Sequence, residues 1–361
     1  MVMADREEVR RASALVTLVD LVGLGEQLVN ALVKVPFARP WEGHADPIRN
    51  TGVSVTRAVL RSFLGFTTSL PIEEFRSVEA VLDKLCDVVM TPLVRARAVA
   101  RTGGHLGAVG GDWYRPEGQT VGTILYFHGG GYVGTSPAMY GLFIASLVNA
   151  TGCEVFVADY RLAPEFPFPA GLTDATGVLE GAIEQGYDLS RLFVAGDSGG
   201  GGLASALMCA REMRSLDPIA GLILVSPEVD LRLDKPSMSE NAPFDILPWN
   251  LPTTSYLQGV DPGAGCVSAI EQNVGTWPPT VLVFGADEMF RDAIRLLTER
   301  LAANGIETTA IEAPGMFHVY PIVMPWHPAA REALEAIGTF VDGRVRASSP
   351  PGPRGAPLRS D

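Results

Sequence analysis

The chain has 361 residues, 47% of them hydrophobic, with 28 Lys and Arg against 41 Asp and Glu and a formal net charge of -13. That length and apolar share suffice to bury a sizeable core, in one large domain or two small ones, while the acidic balance speaks against nucleic acid or an anionic membrane surface as partner. Cys86, Cys153, Cys209 and Cys266 are far apart, with no C-x-x-C spacing and no histidine pairing, so four core thiols in a reducing compartment are expected, with no disulfide framework and no metal site.

Residues 1–110 are expected to form a helical region. The apolar stretch after Arg11 is broken by Asp20 and Glu26, less clean than a secretory signal or an integral membrane segment requires, and a cytoplasmic protein is expected. Leu15, Leu18, Leu21, Val22, Leu28 and Leu32 fall roughly on one helical face, a stripe expected to pack against the body. Breaks fall at 36–47 and 69–71. Beyond the second, Ile72, Phe75, Val78, Leu82, Leu85 and Val89 repeat at helical spacing, with Glu73 and Glu74 in the first turn, where they suit the helix dipole.

From residue 122 onward strands and helices alternate, the pattern of a mostly parallel sheet covered on both faces. Residues 122–127 read as a buried strand that ends in His128-Gly129-Gly130-Gly131-Tyr132. Three successive glycines expose N–H groups that, aimed at one point, stabilise a tetrahedral acyl-transfer intermediate by roughly 3–4 kcal/mol per donor; a flexible turn beside a core histidine is the plainer reading. After the apolar run 191–195 comes Gly196-Asp197-Ser198-Gly199-Gly200, and then the helix-forming Leu203-Ala204-Ser205-Ala206-Leu207-Met208. Strand, tight glycine turn and helix thrust a serine out above a sheet, which makes Ser198 the candidate nucleophile. With 39 glycines in the chain the pattern alone would arise by chance, and its neighbours decide it.

A strand at 220–225 leads into an insertion at about 230–263 that holds Pro243-Phe244-Asp245-Ile246, Trp249 and Tyr256. The strand beginning at Pro279 ends in Asp287 and Glu288, with Asp292 close behind; any of the three could orient a histidine, and the residues do not choose among them. Only His318 and His327 follow Ser198. His318 lies in a loop after the alternating run 306–311 and is the expected base, whereas His327, between Trp326 and Pro328 at the start of the last helix, suits capping or packing. The tail 347–361, rich in proline and glycine, is expected to be disordered.

The H-G-G-G run at 128–131, Asp159-Tyr160-Arg161-Leu162-Ala163-Pro164-Glu165 with Pro167-Phe168-Pro169-Ala170, the Ser198 turn, and Gly315-Met316-Phe317-His318 together resemble the hormone-sensitive-lipase-like branch of the α/β-hydrolases, the bacterial family IV carboxylesterases. The resemblance spans 122 to about 342. It implies an α/β-hydrolase fold, a mostly parallel central sheet with helices on both faces, in a catalytic domain at 111–346 under a helical cap built from 1–110 and the insertion. It also implies a serine carboxylesterase acting on a small-molecule ester through an acyl-enzyme, with no cofactor. By similarity the N–H groups of Gly130, Gly131 and Gly199 hold the oxyanion, Gly129 serves the turn, and Tyr132, Trp249 and Tyr256 meet the substrate.

The family's acid motif D-P-L-R-D falls in register on Glu288-Met289-Phe290-Arg291-Asp292, which implies Glu288 as the third member of the triad beside Ser198 and His318. Its usual alanine after the nucleophile is here Gly199, a change that leaves the N–H in place. The stretch 160–170 is implied to be structural, with Arg161 and Glu165 paired. Few basic side chains in the cap segments point to neutral, short- to medium-chain acyl groups. The same triad serves lactone, amide or thioester cleavage and acyl transfer, and non-catalytic receptors on this scaffold lack the histidine that His318 supplies. A homodimer is compatible with the sequence.

Overall fold

The computed structural model describes residues 9–35, 47–248 and 251–348. Three helices come first: α1 (Ala14–Lys34), α2 (Pro47–Thr67) and α3 (Ile72–Arg95). A hairpin of β1 (Val99–Leu106) and β2 (Val109–Pro116) follows, and then the alternation expected from residue 122: β3 (Thr123–Phe127), α4 (Gly141–Thr151), β4 (Glu154–Ala158), α5 (Ala170–Glu184), β5 (Leu192–Asp197), α6 (Ser198–Met213) and β6 (Gly221–Val225). The insertion carries the short α7 (Ser237–Glu240) and α8 (Thr253–Leu257). The chain closes with β7 (Thr280–Gly285), α9 (Arg291–Ala303), β8 (Thr308–Ala313), the short α10 (Tyr320–Val323) and α11 (Pro328–Ser348).

The strands form one eight-stranded sheet in the order β1-β2-β4-β3-β5-β6-β7-β8, parallel from β4 to β8 and antiparallel where β2 joins β1 and β4. Every residue of β3, β5, β6 and β7 is buried, which is why these strands read as unbroken apolar runs: both faces are covered and neither needs polar side chains. On one face Leu125, Phe127 and Val194 pack against Leu179, Leu203 and Leu207 of α5 and α6. On the other, Ile124, Tyr126 and Phe193 meet Ile144 and Val148 of α4 and Ile337 of α11. The crossovers bring the carboxyl ends of β3, β5, β6, β7 and β8 to one edge, where open α/β sheets place their ligands.

Several expectations change on inspection of the fold. The helical region ends at Arg95, so a boundary at 110 falls inside β2 and the first hairpin belongs to the sheet. Most of the apolar stripe of α1 does not pack against the body: Leu15 (72% exposed), Leu18, Val22 and Leu32 face outward and Leu21 and Leu28 are half-buried, whereas Thr17, Asp20, Leu24 and Ala31 face in. Small side chains permit close approach to α2, where a Cβ on Gly23 would lie 3.3 Å from Phe66. By length and composition α1 is apolar enough to cross a membrane, where the sequence reading expects no such segment.

The cysteine reading is also corrected. Cys209, on α6, and Cys266, 57 positions later, form a disulfide with their Cα atoms 5.5 Å apart. Sequence spacing carries no information about two segments that tertiary folding lays side by side. Cys153 is buried and Cys86 half-buried, both as free thiols. At the C-terminal end α11 runs to Ser348, two residues into the expected tail, whose remainder (349–361) lies outside the described residues, as do the break at 36–46 and Trp249. His327 caps α11 as expected, its Nδ1 accepting from Ala329 N–H at 3.2 Å.

Candidate active site

The turn between β5 and α6 is closed by backbone on backbone. A Cβ on Gly196 would run into the Gly200 carbonyl, and one on Gly200 into the carbonyls of Phe127 and His128, so only glycine lets the helix sit this close to the ends of β5 and β3. Ser198 pays for the sharpness of the turn with a φ of 51°, left-handed backbone that costs a non-glycine residue on the order of 1–3 kcal/mol and survives only where the surroundings over-determine it.

Asp197 over-determines it. Its buried carboxylate accepts from Tyr126 Oη–H at 2.7 Å, from Tyr140 Oη–H at 2.9 Å and from Gly129 N–H at 2.9 Å. Burial pushes its pKa up to about 6 against the pull of these donors. With Gly129 committed to Asp197, the N–H groups of Gly130 and Gly131 donate to no described residue, and Gly199 N–H, in the first turn of α6, has no acceptor within the helix. Gly130 and Gly131 have φ of 105° and 60°. A Cβ on Gly199 would sit 2.9 Å from Tyr132 N and 3.2 Å from Gly131 N, which shows how tightly the glycine loop leans on the Ser198 turn. His128 is structural: fully buried and stacked on Tyr160, with its Nδ1 3.0 Å from the Gly129 carbonyl, it has its pKa lowered by burial.

His318 arrives from the loop after β8, 120 positions from Ser198, and its Nε2 lies 2.9 Å from Ser198 Oγ. On the far side, His318 Nδ1 faces Glu288 Oε1 at 4.0 Å, and these two atoms are buried with no other partner. The second Glu288 oxygen accepts from Ser226 Oγ–H at 2.7 Å and from Gly285 N–H at 2.9 Å, and Ser226 Oγ in turn accepts from Val319 N–H at 3.0 Å. Burial alone would disfavour the imidazolium; Glu288, then Asp245 and Asp197, outweigh it and raise the His318 pKa above the usual histidine value.

Of the three acids at the end of β7, Glu288 alone is turned to the imidazole. Asp287 is half-buried on the side of Arg57, and Asp292 accepts from Ser237 N–H at 2.9 Å and pairs with Arg291. Asp245, in the insertion, had no role in the sequence reading. Here its fully buried carboxylate accepts from His318 N–H at 2.9 Å through Oδ1 and from Met289 N–H at 2.7 Å through Oδ2, joining the acid and histidine loops.

The expected Arg161–Glu165 pair is not formed. Arg161 pairs with Asp174 at 2.8 Å, while Glu165 is taken by Arg76 of α3 at 2.7 Å, because the buried Arg76 guanidinium also reaches the carbonyls of Val133 and Ala163 and so draws the glutamate to the cap. Glu79, one turn on, accepts from Thr135 N–H at 2.6 Å. Helix α3 therefore grips the loop that follows the three glycines.

Ser198 and His318 open into a cavity of about 620 Å³. Its walls come from α2 and α3 (Phe63, Leu64, Phe75, Val78), from the insertion (Leu247, Leu251) and from Val319 and Ile322, with no lysine or arginine among the described lining residues. Tyr132 and Tyr256 stack on each other at 3.8 Å, both buried, and stand behind this wall instead of in it, because the stacking turns their faces to one another. Glu228, three residues past β6, does line the cavity. An acid just beyond a strand at the carboxyl edge was a visible signal that the sequence reading did not use.

Residues 124–322, more than half of the chain, match the family described as alpha/beta hydrolase fold. The chain is 34% identical over 247 residues to an acetyl-hydrolase of Streptomyces hygroscopicus, covering 66% of this chain and 81% of that protein. It is 34% identical over 275 residues to the esterase LipI of Mycobacterium tuberculosis, covering 71% and 85%. Among solved structures, a homologue of hormone-sensitive lipase from a metagenome library superposes with a TM-score of 0.67 at 28% identity, covering 76% of this chain and 99% of that one. Since the matched segment runs from the strand before the glycine loop to the helix after His318, it takes in the glycine loop, Ser198, Asp245, Glu288 and His318, and the chain belongs to the α/β-hydrolase-fold family, on its hormone-sensitive-lipase-like branch.

Proposed function

We propose that this protein is a serine carboxylesterase that hydrolyses neutral carboxylic esters of short to medium chain length. The observation that carries the reading is the 2.9 Å contact of Ser198 Oγ with His318 Nε2 at the floor of an apolar cavity. Ser198 Oγ attacks the ester carbonyl as His318 Nε2 takes its proton, and the imidazolium so formed is stabilised by Glu288. The N–H groups of Gly130, Gly131 and Gly199 receive the oxyanion. His318 returns the proton to the departing alcohol, then takes one from the water that attacks the acyl-enzyme, and passes it to Ser198 Oγ as the acid leaves, which restores the free serine and neutral histidine. An anionic acyl group would enter a cavity with no described lysine or arginine in its lining, a desolvation cost that supports substrates without negative charge.

The test is Ser198→Ala with p-nitrophenyl esters of rising chain length: a folded variant is expected to lose roughly four or more orders of magnitude in kcat, because nucleophile and base act as a unit. A phosphonate probe should label Ser198 and no other serine. Labelling at Ser205 or Ser226 overturns the assignment. For compartment, the cytoplasmic reading requires that Cys209 and Cys266 be reduced in the cell and that the chain fractionate with the cytosol; an oxidised pair in an exported or membrane fraction refutes it, and the disulfide and the outward face of α1 weigh on that side.

A further inference from the structure

We propose that Glu228 is a substrate-recognition residue, and that the preferred esters carry a hydrogen-bond donor, a hydroxyl or a protonated amine, near the scissile carbonyl. This rests on the esterase reading above: the hydroxyl-bearing esters narrow its neutral class, and the ammonium-bearing ones extend it to cations. Glu228 follows β6 at the same sheet edge as the triad, and its N–H donates to the Ser198 carbonyl oxygen at 2.9 Å, so its backbone is fastened to the nucleophile's own residue. Its side chain lines the cavity with only 3% of the residue exposed.

What separates Glu228 from the other buried acids of the site is its lack of donors. Asp197 accepts from three groups, Asp245 joins the N–H groups of Ile246, Met289 and His318, and Glu288 accepts from Ser226 and Gly285. No described residue donates to the Glu228 carboxyl, and its oxygens are not walled in on every side as Glu288 Oε1 is. The titratable groups that face it are His318 and the phenols of Tyr132, Tyr160 and Tyr256. None of these hydroxyls reaches it with a hydrogen bond.

A carboxyl removed from water without partners is costly, and buried polar groups are almost always satisfied. Here the open side is the cavity, so the missing donor is one that a ligand brings. Burial pushes the Glu228 pKa up to about 7, and near neutrality both forms can accept: the acid through its carbonyl oxygen, the carboxylate through either oxygen. A hydroxyl suits both forms, whereas an ammonium suits the carboxylate. A site built around such an acceptor disfavours the analogue that lacks the donor, because the acceptor is then left unpaired.

The experiment compares size-matched esters: propyl against 2-hydroxyethyl butyrate and 3-methylbutyl against 2-(dimethylammonio)ethyl butyrate for the alcohol side, and ethyl 3-methylbutyrate against ethyl 3-hydroxybutyrate for the acyl side. At least one donor-bearing ester should exceed its donor-free match by roughly 10-fold or more in kcat/KM, chiefly through KM. In Glu228→Leu that ratio should fall to within about 2-fold of one; the near-isosteric Glu228→Gln should keep the hydroxyl ratio and lose the ammonium ratio. Dissociation constants for the same esters on Ser198→Ala, with and without Glu228→Leu, read the preference without turnover. Ratios near one throughout in the unaltered enzyme, or a preference that survives Glu228→Leu, overturn the proposal. Failure of the folded enzyme to turn over any ester defeats the esterase reading instead, and the dissociation constants then decide on Glu228 by themselves.

Discussion

The 4.0 Å between His318 Nδ1 and Glu288 Oε1 is longer than a hydrogen bond, yet the two atoms face each other with nothing else to satisfy them. At residue scale this makes the choice of acid testable. Glu288→Gln, which keeps the volume and removes the charge, is expected to lower kcat by two or more orders of magnitude through loss of the correct imidazole tautomer. Asp287→Asn should stay within about 3-fold, since Asp287 is not directed at the imidazole. The pH dependence adds a readout: kcat/KM should rise with pH through an inflection above the usual histidine value, because only neutral His318 can take the serine proton. In Glu288→Gln that inflection should shift downward, the main support for the imidazolium being gone. The reverse pattern, with Asp287→Asn crippling and Glu288→Gln silent, would move the acid to Asp287.

At the scale of elements, the cluster of Ser198, His318 and Glu288 is held by pieces far from it in the chain. Ser226, at the end of β6, spans the acid and histidine loops with one hydroxyl, and Asp245, from the insertion, spans them with one carboxylate. Asp245→Asn preserves shape but replaces one acceptor by a donor, which must then confront the N–H of either His318 or Met289. The expected result is a folded enzyme with kcat lowered about 10- to 100-fold and stability lowered by roughly 1–3 kcal/mol, read by kinetics and urea unfolding. Unchanged kcat would show that the two loops hold their positions without Asp245. In the same way Arg76 and Glu79 of α3 hold the segment after the glycines, so α3 braces the glycine loop as well as walling the pocket. None of these links follows from periodicity, which finds the helix and says nothing of what its charged residues meet.

For the whole molecule, three buried carboxyls have raised pKa values: Asp197 and Asp245 to about 6 and Glu228 to about 7, each through burial first. A carboxyl whose folded pKa lies above its unfolded value near 4 binds its proton more tightly in the folded state. Its contribution therefore favours folding at low pH and is lost as pH rises from about 4 through the folded value. Stability should accordingly decline between pH 5 and pH 8, and Glu228→Gln should recover part of it, being more stabilising at pH 8 than at pH 5 by on the order of 1–3 kcal/mol in urea unfolding. An equal effect at both pH values would show that Glu228 does not titrate in this window.

Some of this architecture is written in contiguous residues. The buried parallel strands, the turn at Ser198, the glycine loop and the loop histidine were legible because each expresses a local demand: apolar runs where a strand is covered on both faces, and glycine where backbone must meet backbone. What the chain order could not show is which side chains meet across the sheet edge. Asp245 reaches His318 over 73 positions, Cys209 reaches Cys266 over 57, and Arg76 captures the Glu165 that had been assigned to Arg161. The outward face of α1 was misread for a related reason, since its apolar stripe gives the period of a helix but not the side from which its neighbour approaches. Local sequence determined the elements and singled out the serine and histidine that meet at the cavity floor; the convergence of distant loops at the carboxyl edge decided their partners, because distance through space at that edge is set by the crossovers and not by separation along the chain.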